Sequence, residues 1–241
     1  MASVKQCLIL AAGNGSRLRA MSADLPKPLV SFQGKPILAH VIRGAQQAGI
    51  DEFVIVLGYR GDLIRNWFES RRPGRARFTW VENPDYHKSN GVSALKARKA
   101  IHDKFLLLMA DHIFQPETAR RMVSQDIAMG EVVLGVDPNI GRIFDIDDAT
   151  KVRRRGDRIV DIGKEIKGYD AIDTGMFLCT PALFDDLDHS SKDGNCSLSD
   201  GMRRLARSRR LRALEIDAPW HDLDTPEAFA HAWEERLLDA A

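Results

Sequence analysis

Over the first 137 residues, short apolar runs alternate with stretches whose apolar positions recur every three or four residues. The runs at 6–12, 53–57, 78–81, 105–110 and 132–136 have the length and apolar content of buried strands. Helical spacing at 37–48, 62–70, 93–102 and 116–127 predicts amphipathic helices between them. Such alternation predicts right-handed strand-helix-strand units around a sheet whose ligands bind at the carboxyl ends of its strands. Beyond Asp137 the pattern shifts to shorter β segments at 151–155, 158–163 and 172–179, with Arg155-Gly156-Asp157 as a hairpin turn. Helical patterns follow at 181–187, 198–207 and 226–238. No low-complexity linker or internal repeat divides the halves. The expectation is one α/β domain over residues 1–241: a Rossmann-like, mostly parallel sheet flanked by helices, continuous with a small β-rich lobe.

Charge and composition exclude several classes. With 35 Lys and Arg against 34 Asp and Glu, the chain carries no whole-protein field for nucleic acid. The basic run 203–212 lacks interleaved aromatics and reads as a solvated helix face, with Met202, Leu205 and Ala206 as its apolar stripe. Three isolated cysteines, Cys7, Cys179 and Cys196, suit neither a disulfide framework nor a zinc site. The longest apolar run, 105–110, is too short to span a bilayer, and the start of the chain lacks a signal-peptide pattern. These features predict a cytoplasmic protein without membrane insertion. Trp67, Trp80, Trp220 and Trp233 read as packing residues.

Candidate chemistry concentrates after the first strand. Leu10-Ala11-Ala12-Gly13-Asn14-Gly15-Ser16-Arg17 is followed by Lys27 between Pro26 and Pro28. Gly13 and Gly15 can take φ > 0 and turn successive N–H groups toward phosphate oxygens, while Arg17 and Lys27 add positive charge. A P-loop would need Lys-Ser or Lys-Thr at a spacing absent here. A dinucleotide loop would need a third glycine where Leu18 stands, and an acid where the second strand ends in Gly58. Asp111 follows the apolar run 105–110, so its carboxylate belongs at the edge where Mg²⁺ carrying triphosphate oxygens would sit. Asn90, Gly91 and Ser93, ahead of a helix, can read a pyrimidine edge; a plain serine N-cap would use the same residues.

The order of these parts resembles the nucleotidyltransferases that couple a nucleoside triphosphate to a sugar phosphate or alcohol phosphate. The resemblance covers nearly the whole chain and implies the nucleotide-diphospho-sugar transferase fold and Mg²⁺ as cofactor. It makes Asp111 the principal metal aspartate and Lys164 a ligand of the acceptor phosphate. Trp220-His221-Asp222-Leu223-Asp224 resembles the family's late W-x-D motif, and either Asp222 or Asp224 is the second metal ligand. Residues 109–114, 144–152, 159–164 and 169–177 look more specifically like the CTP:inositol-1-phosphate cytidylyltransferases, with Asp173, Thr174 and Gly175 beside the acceptor. In that subgroup the domain is often fused to a membrane alcohol-phosphate transferase, and these 241 residues contain no such segment.

The reaction so implied joins CTP to a phosphorylated small-molecule alcohol, with an acceptor phosphate oxygen attacking the α-phosphorus and expelling pyrophosphate. Two polyanions must approach, so charge neutralisation and positioning dominate. Arg17 and the loop amides would hold the leaving phosphates, and Lys27 would neutralise the approaching ones. A phosphate monoester is already largely ionised near neutral pH, so neither His112 nor His221 is required as a base. Other readings stay open on sequence. A phosphocholine or aminoalkylphosphonate acceptor could use Tyr86, Tyr169 and Asp170, and a sugar 1-phosphate suits the same hydroxyl-reading groups. A nucleotide-binding regulatory protein would keep the fold without turnover, and a homodimer is neither required nor excluded.

Overall fold

Strand β1 (Gln6–Ala11) is covered on both faces and paired on both edges, which explains its unbroken apolar composition. Leu8 and Leu10 point into one apolar layer, Cys7, Ile9 and Ala11 into the other. The computed structural model describes residues 4–18, 25–71 and 76–235. Parallel partners of β1 are β4 (Glu52–Leu57) and β6 (Phe105–Met109), and β5 (Arg77–Glu82) continues the parallel set beyond β4. One layer is closed by α1 (Ile37–Gln47), α2 (Gly61–Arg71) and α4 (Pro116–Val123). The other is closed by α3 (Asn90–Lys96), α5 (Leu183–Ser190) and α6 (Leu198–Arg207).

The sheet has nine strands in the order β5-β4-β1-β6-β11-β8-β12-β10-β9, where β8 is Val132–Asp137, β9 Lys151–Arg155, β10 Arg158–Gly163, β11 Ala171–Cys179 and β12 Leu211–Glu215. Its first half is parallel, as the alternation predicts. The second half is mixed, because β11 lies antiparallel between β6 and β8. A buried strand is the same apolar run in either direction, so direction is not legible from hydropathy. The β-rich lobe is thus the second half of one sheet. Two short ribbons complete the described residues: β2 (Ser31–Phe32) with β3 (Lys35–Pro36), and β7 (His112–Phe114) with β13 (Trp220–Asp222).

Several boundaries differ from expectation. The helix expected at 93–102 begins at Asn90 and gives way after Lys96 to a short 3₁₀ turn, Arg98–Ala100. The helix expected at 116–127 stops at Val123, and the one at 181–187 runs Leu183–Ser190. Helix α7 (Pro226–Glu234) carries the expected Thr225 cap, and positions 236–238 lie outside the described residues. The basic run does not form a purely solvated face. Its last residues enter β12, and Arg204 and Arg210 neutralise the buried carboxylate of Asp186, at 3.1 and 2.7 Å. Trp67, Trp80 and Trp220 pack against the core as expected, Trp220 also lining a cavity, whereas Trp233 is largely exposed.

Asp137, fully buried at the end of β8, organises the carboxyl edge of the sheet. Its carboxylate accepts hydrogen bonds from Asn139 N (2.8 Å), Arg142 (2.8 and 3.0 Å) and the Trp220 indole (3.0 Å). A buried charge is tolerated because its lone pairs are filled this way. Asp137→Asn is expected to cost about 2 kcal/mol, read as a lowered midpoint in thermal or urea melts. A midpoint within error of the parent would contradict the organising role.

Candidate active site

The loop after β1 closes against Lys27. Gly15 is left-handed (φ 57°), and a Cβ there would stand 2.6 Å from the Lys27 Cβ, so both backbone and space require glycine. Gly13 does not share this conformation: it has no positive φ and faces open space. Asn14 Oδ1 accepts from the Ser16 amide at 3.2 Å, and a short turn, Ser16–Leu18, presents Arg17. Leu10, Ala11, Gly13, Asn14, Gly15, Ser16, Arg17, Lys27 and Asp111 line a cavity of about 230 Å³. Ala12, expected beside them, is buried instead, its carbonyl accepting from Tyr59 N.

Lys27 is buried at the cavity floor, at the start of a short turn between its two prolines. Its ammonium lies 2.6 Å from Asp111 and 3.6 Å from Asp222, and pairs with Asp224. Burial opposes the charge, but these three carboxylates outweigh it and hold Lys27 above its ordinary pKa. The β7–β13 ribbon makes this convergence: its register places Asp222 opposite His112, the residue after Asp111. His112 Nδ1 is 2.8 Å from Asp111 and 3.7 Å from Asp222, with Trp220 stacked on its ring. Although burial works against it, Asp222 and Asp111 push His112 up to about 9. Asp111 is held below the usual carboxylate range by Lys27 and His112, against the opposing effect of burial. Burial raises Asp222 to about 7, and its Oδ1 has no hydrogen-bond partner. Asp111, His112 and Asp222 offer ligand atoms within 4.8 Å of one another.

A second cavity of about 530 Å³ adjoins the first, and Arg17 and Asp224 line both. Lys164 and Asp173 stand on its wall with His112, Trp220 and Asp222. Asp148 is a residue that sequence reading missed: it pairs with Arg17 at 2.8 Å and with Lys164, linking the two cavities. Its signal, an acid after the Phe144-Asp145-Ile146-Asp147 stretch, does not separate it from its acidic neighbours. Asp173, Thr174 and Gly175 sit where the β11–β8 register shifts. There Asp173 accepts from Gly175 N at 2.7 Å, and Gly175 (φ 73°) packs against the His112 ring. Thr174 does not face the cavity; it is buried and donates to Gly135 O.

The expected base-reading segment divides. Asn90 lines the larger cavity but its Oδ1 accepts from Leu198 N at 2.9 Å. A Cβ on Gly91 would meet Cys196 O at 2.6 Å, so that glycine admits a neighbouring chain segment and not a base ring. Ser93 is buried against Asn83. Tyr86, Tyr169 and Asp170 line neither cavity, and Asp170 is held by Arg154 at 3.1 Å. No helix among the described residues is long and apolar enough to cross a membrane.

Comparison with known proteins gives this geometry a context. The chain is 36% identical over 223 residues to the bifunctional IPC transferase and DIPP synthase of Rubrobacter xylanophilus, covering 91% of this chain and 49% of the relative. It spans about half the length of this relative and of three others with the same name. It is 28% identical to a UTP–glucose-1-phosphate uridylyltransferase of Haloferax volcanii over 97% of both chains. Among solved structures, the inositol-1-phosphate CTP transferase from T. maritima superposes with a TM-score of 0.84 at 26% identity, covering 94% of this chain and 92% of that one. Residues 7–142, which include the glycine loop, Lys27 and Asp111, match the MobA-like NTP transferase domain, and the chain belongs to that family.

Proposed function

We propose that the chain transfers a cytidylyl group from CTP to inositol 1-phosphate, giving CDP-inositol and pyrophosphate. The observation that carries this reading is the pair of adjoining cavities. They meet at Arg17 and Asp224 beside a cluster of carboxylates, with Lys27 on the glycine-loop side and Lys164 on the other. The choice of cytidylyl and inositol rests on the subgroup resemblance and on the similarity to the T. maritima transferase.

The donor set fits a hard divalent cation. Asp111 and Asp222 offer ligand atoms close to one another, and the buried Asp222 Oδ1, which makes no hydrogen bond, is an oxygen ligand in waiting. Asp224 is already shared between Arg17 and Lys27, which makes Asp222 the second ligand beside Asp111. Mg²⁺ held there by Asp111 and Asp222 would supply charge neutralisation to the phosphate oxygens. Arg17 and the loop amides bind the leaving β,γ-phosphates, and Lys27 exchanges carboxylate for phosphate. Lys164 receives the acceptor phosphate. One acceptor oxygen forms a bond to the α-phosphorus, the bond to the β-phosphate oxygen breaks, and pyrophosphate departs. Asp173 accepts from acceptor hydroxyls.

Pyrophosphate release with CTP or UTP and a panel of inositol 1-phosphate, glucose 1-phosphate, phosphocholine and 2-aminoethylphosphonate tests the assignment. CTP with inositol 1-phosphate is expected to give the highest kcat/KM, by more than about tenfold, or ~1.4 kcal/mol. A tenfold preference for UTP with glucose 1-phosphate would replace it by the activity of the Haloferax relative.

Lys27→Ala is expected to lower kcat about 100-fold and to leave three carboxylates without their shared counter-ion. Its melting temperature should therefore rise more on adding Mg²⁺ than that of the parent. Equal Mg²⁺ shifts in both proteins would show that the ammonium and the metal do not share the cluster. In the same assays, Asp222→Asn should be severe and Asp224→Asn milder.

Burial raises Asp173 to about 6, partly opposed by the Gly175 amide and His112. A carboxyl raised above its unfolded value of ~3.9 favours folding fully at low pH, and that contribution is lost as pH rises through the folded value. Asp173→Asn should therefore melt roughly 2–4 °C above the parent at pH 8, about 1 kcal/mol, with the difference shrinking toward pH 4. It should also raise KM for inositol 1-phosphate about tenfold. Melting curves that stay parallel across this range would remove the charge from the account.

A further inference from the structure

A second convergence of ligand atoms lies on the other side of β13. Alternation along this three-residue strand sends Trp220 and Asp222 toward His112, and His221 toward α7. There His221 meets Glu235, with Nε2 2.8 Å from Oε2. His231, four residues before Glu235 on the same helical face, places its Nε2 3.6 Å from the other carboxylate oxygen. The two imidazoles meet edge to face at 5.3 Å, and Phe144 stacks on the outer side of His231 at 4.9 Å. Among the described residues, the ion-pair partners of Glu235 are these two imidazoles, with no lysine or arginine.

We propose that His221, His231 and Glu235 form a binding site for a divalent transition-metal ion of the zinc class, separate from the carboxylate cluster around Lys27. One ligand atom from each residue lies within 4.8 Å of the others. Ligands at ~2.0–2.2 Å from a tetrahedral ion stand roughly 3.3–3.6 Å apart, so a small contraction of this set closes on one ion. Two residues spaced i, i+4 on a helix present their ligands on one face, and the third comes from a strand packed against it. Two imidazoles and one carboxylate suit zinc far better than magnesium, which demands oxygen ligands. The two sites therefore sort metals by donor type across a single strand. His221 and Glu235 also border the larger cavity, so the site adjoins it. Occupation adds positive charge to that wall and ties α7 to the strand that carries Asp222. The inference does not depend on the proposed cytidylyl transfer.

Cobalt(II) is a spectroscopic substitute for zinc, and its titration into the metal-free full chain without nucleotide tests the site. A visible absorption band is expected to saturate at one equivalent, to be bleached by one equivalent of Zn²⁺, and to withstand excess Mg²⁺. It should persist in Asp111→Asn and disappear in His231→Ala and in Glu235→Gln. Circular dichroism of the last two reports their fold, and either variant alone decides the matter. A band that survives either substitution in a folded variant, a band lost in Asp111→Asn, or no saturable band in the parent overturns the proposal.

Discussion

The buried ammonium of Lys27 is the contact on which the site depends. Three acids from distant parts of the sequence, Asp111, Asp222 and Asp224, surround it. Three carboxylates brought together from water would repel, and each would be costly to bury alone. A single cation at their centre makes the cluster tolerable, and their combined field keeps that cation charged. His112 adds a second positive group at the margin. Burial nevertheless raises Asp222, whose Oδ1 makes no hydrogen bond and stands 3.6 Å from Lys27. In the proposed reaction an oxygen without a hydrogen bond is open to a divalent cation.

Much of the surrounding architecture exists to hold that geometry. The β7–β13 ribbon sets Asp222 opposite His112. Asp137 fixes Trp220, Trp220 stacks on His112, and His112 is 2.8 Å from Asp111, so a buried carboxylate at the end of β8 reaches the cluster through three contacts. Behind the ribbon a small apolar cluster of Leu18, Val30, Phe32, Ile37, Ile113, Leu223, Phe229 and Ala232 joins the end of the glycine loop to α7. The glycine loop, the ribbon and the C-terminal helix thus share one core.

A second theme is the exchange of partners. Arg17 and Lys164, the cations assigned to the two substrates, are both held by Asp148. These are exposed pairs, weak in water and easily displaced by a phosphate with more charge. Asp148 holds both side chains and links the two cavities. The bulge in β11 turns Asp173 into the larger cavity while Thr174 is spent on the backbone of β8.

The sequence by itself determined the elements that depend on local pattern. Apolar runs bounded by turns located the parallel strands, and the positions of Gly15 and Asp111 were legible because backbone conformation and strand ends are local properties. The Leu198–Arg207 helix was legible to the residue, its apolar stripe lying within the segment. Tertiary structure alone decided the direction of β11, since burial on both faces erases any mark of strand direction. It also decided the partners of two acids that are equivalent in sequence: Lys27 approaches both, Arg17 pairs with Asp224, and His112 stands beside Asp222. The roles of Asp148, Thr174 and Gly91 were hidden for the same reason. Each is set by a partner far away in the chain, Lys164 or Arg17, Gly135 and Cys196, and long-range contact leaves no periodicity in a single sequence.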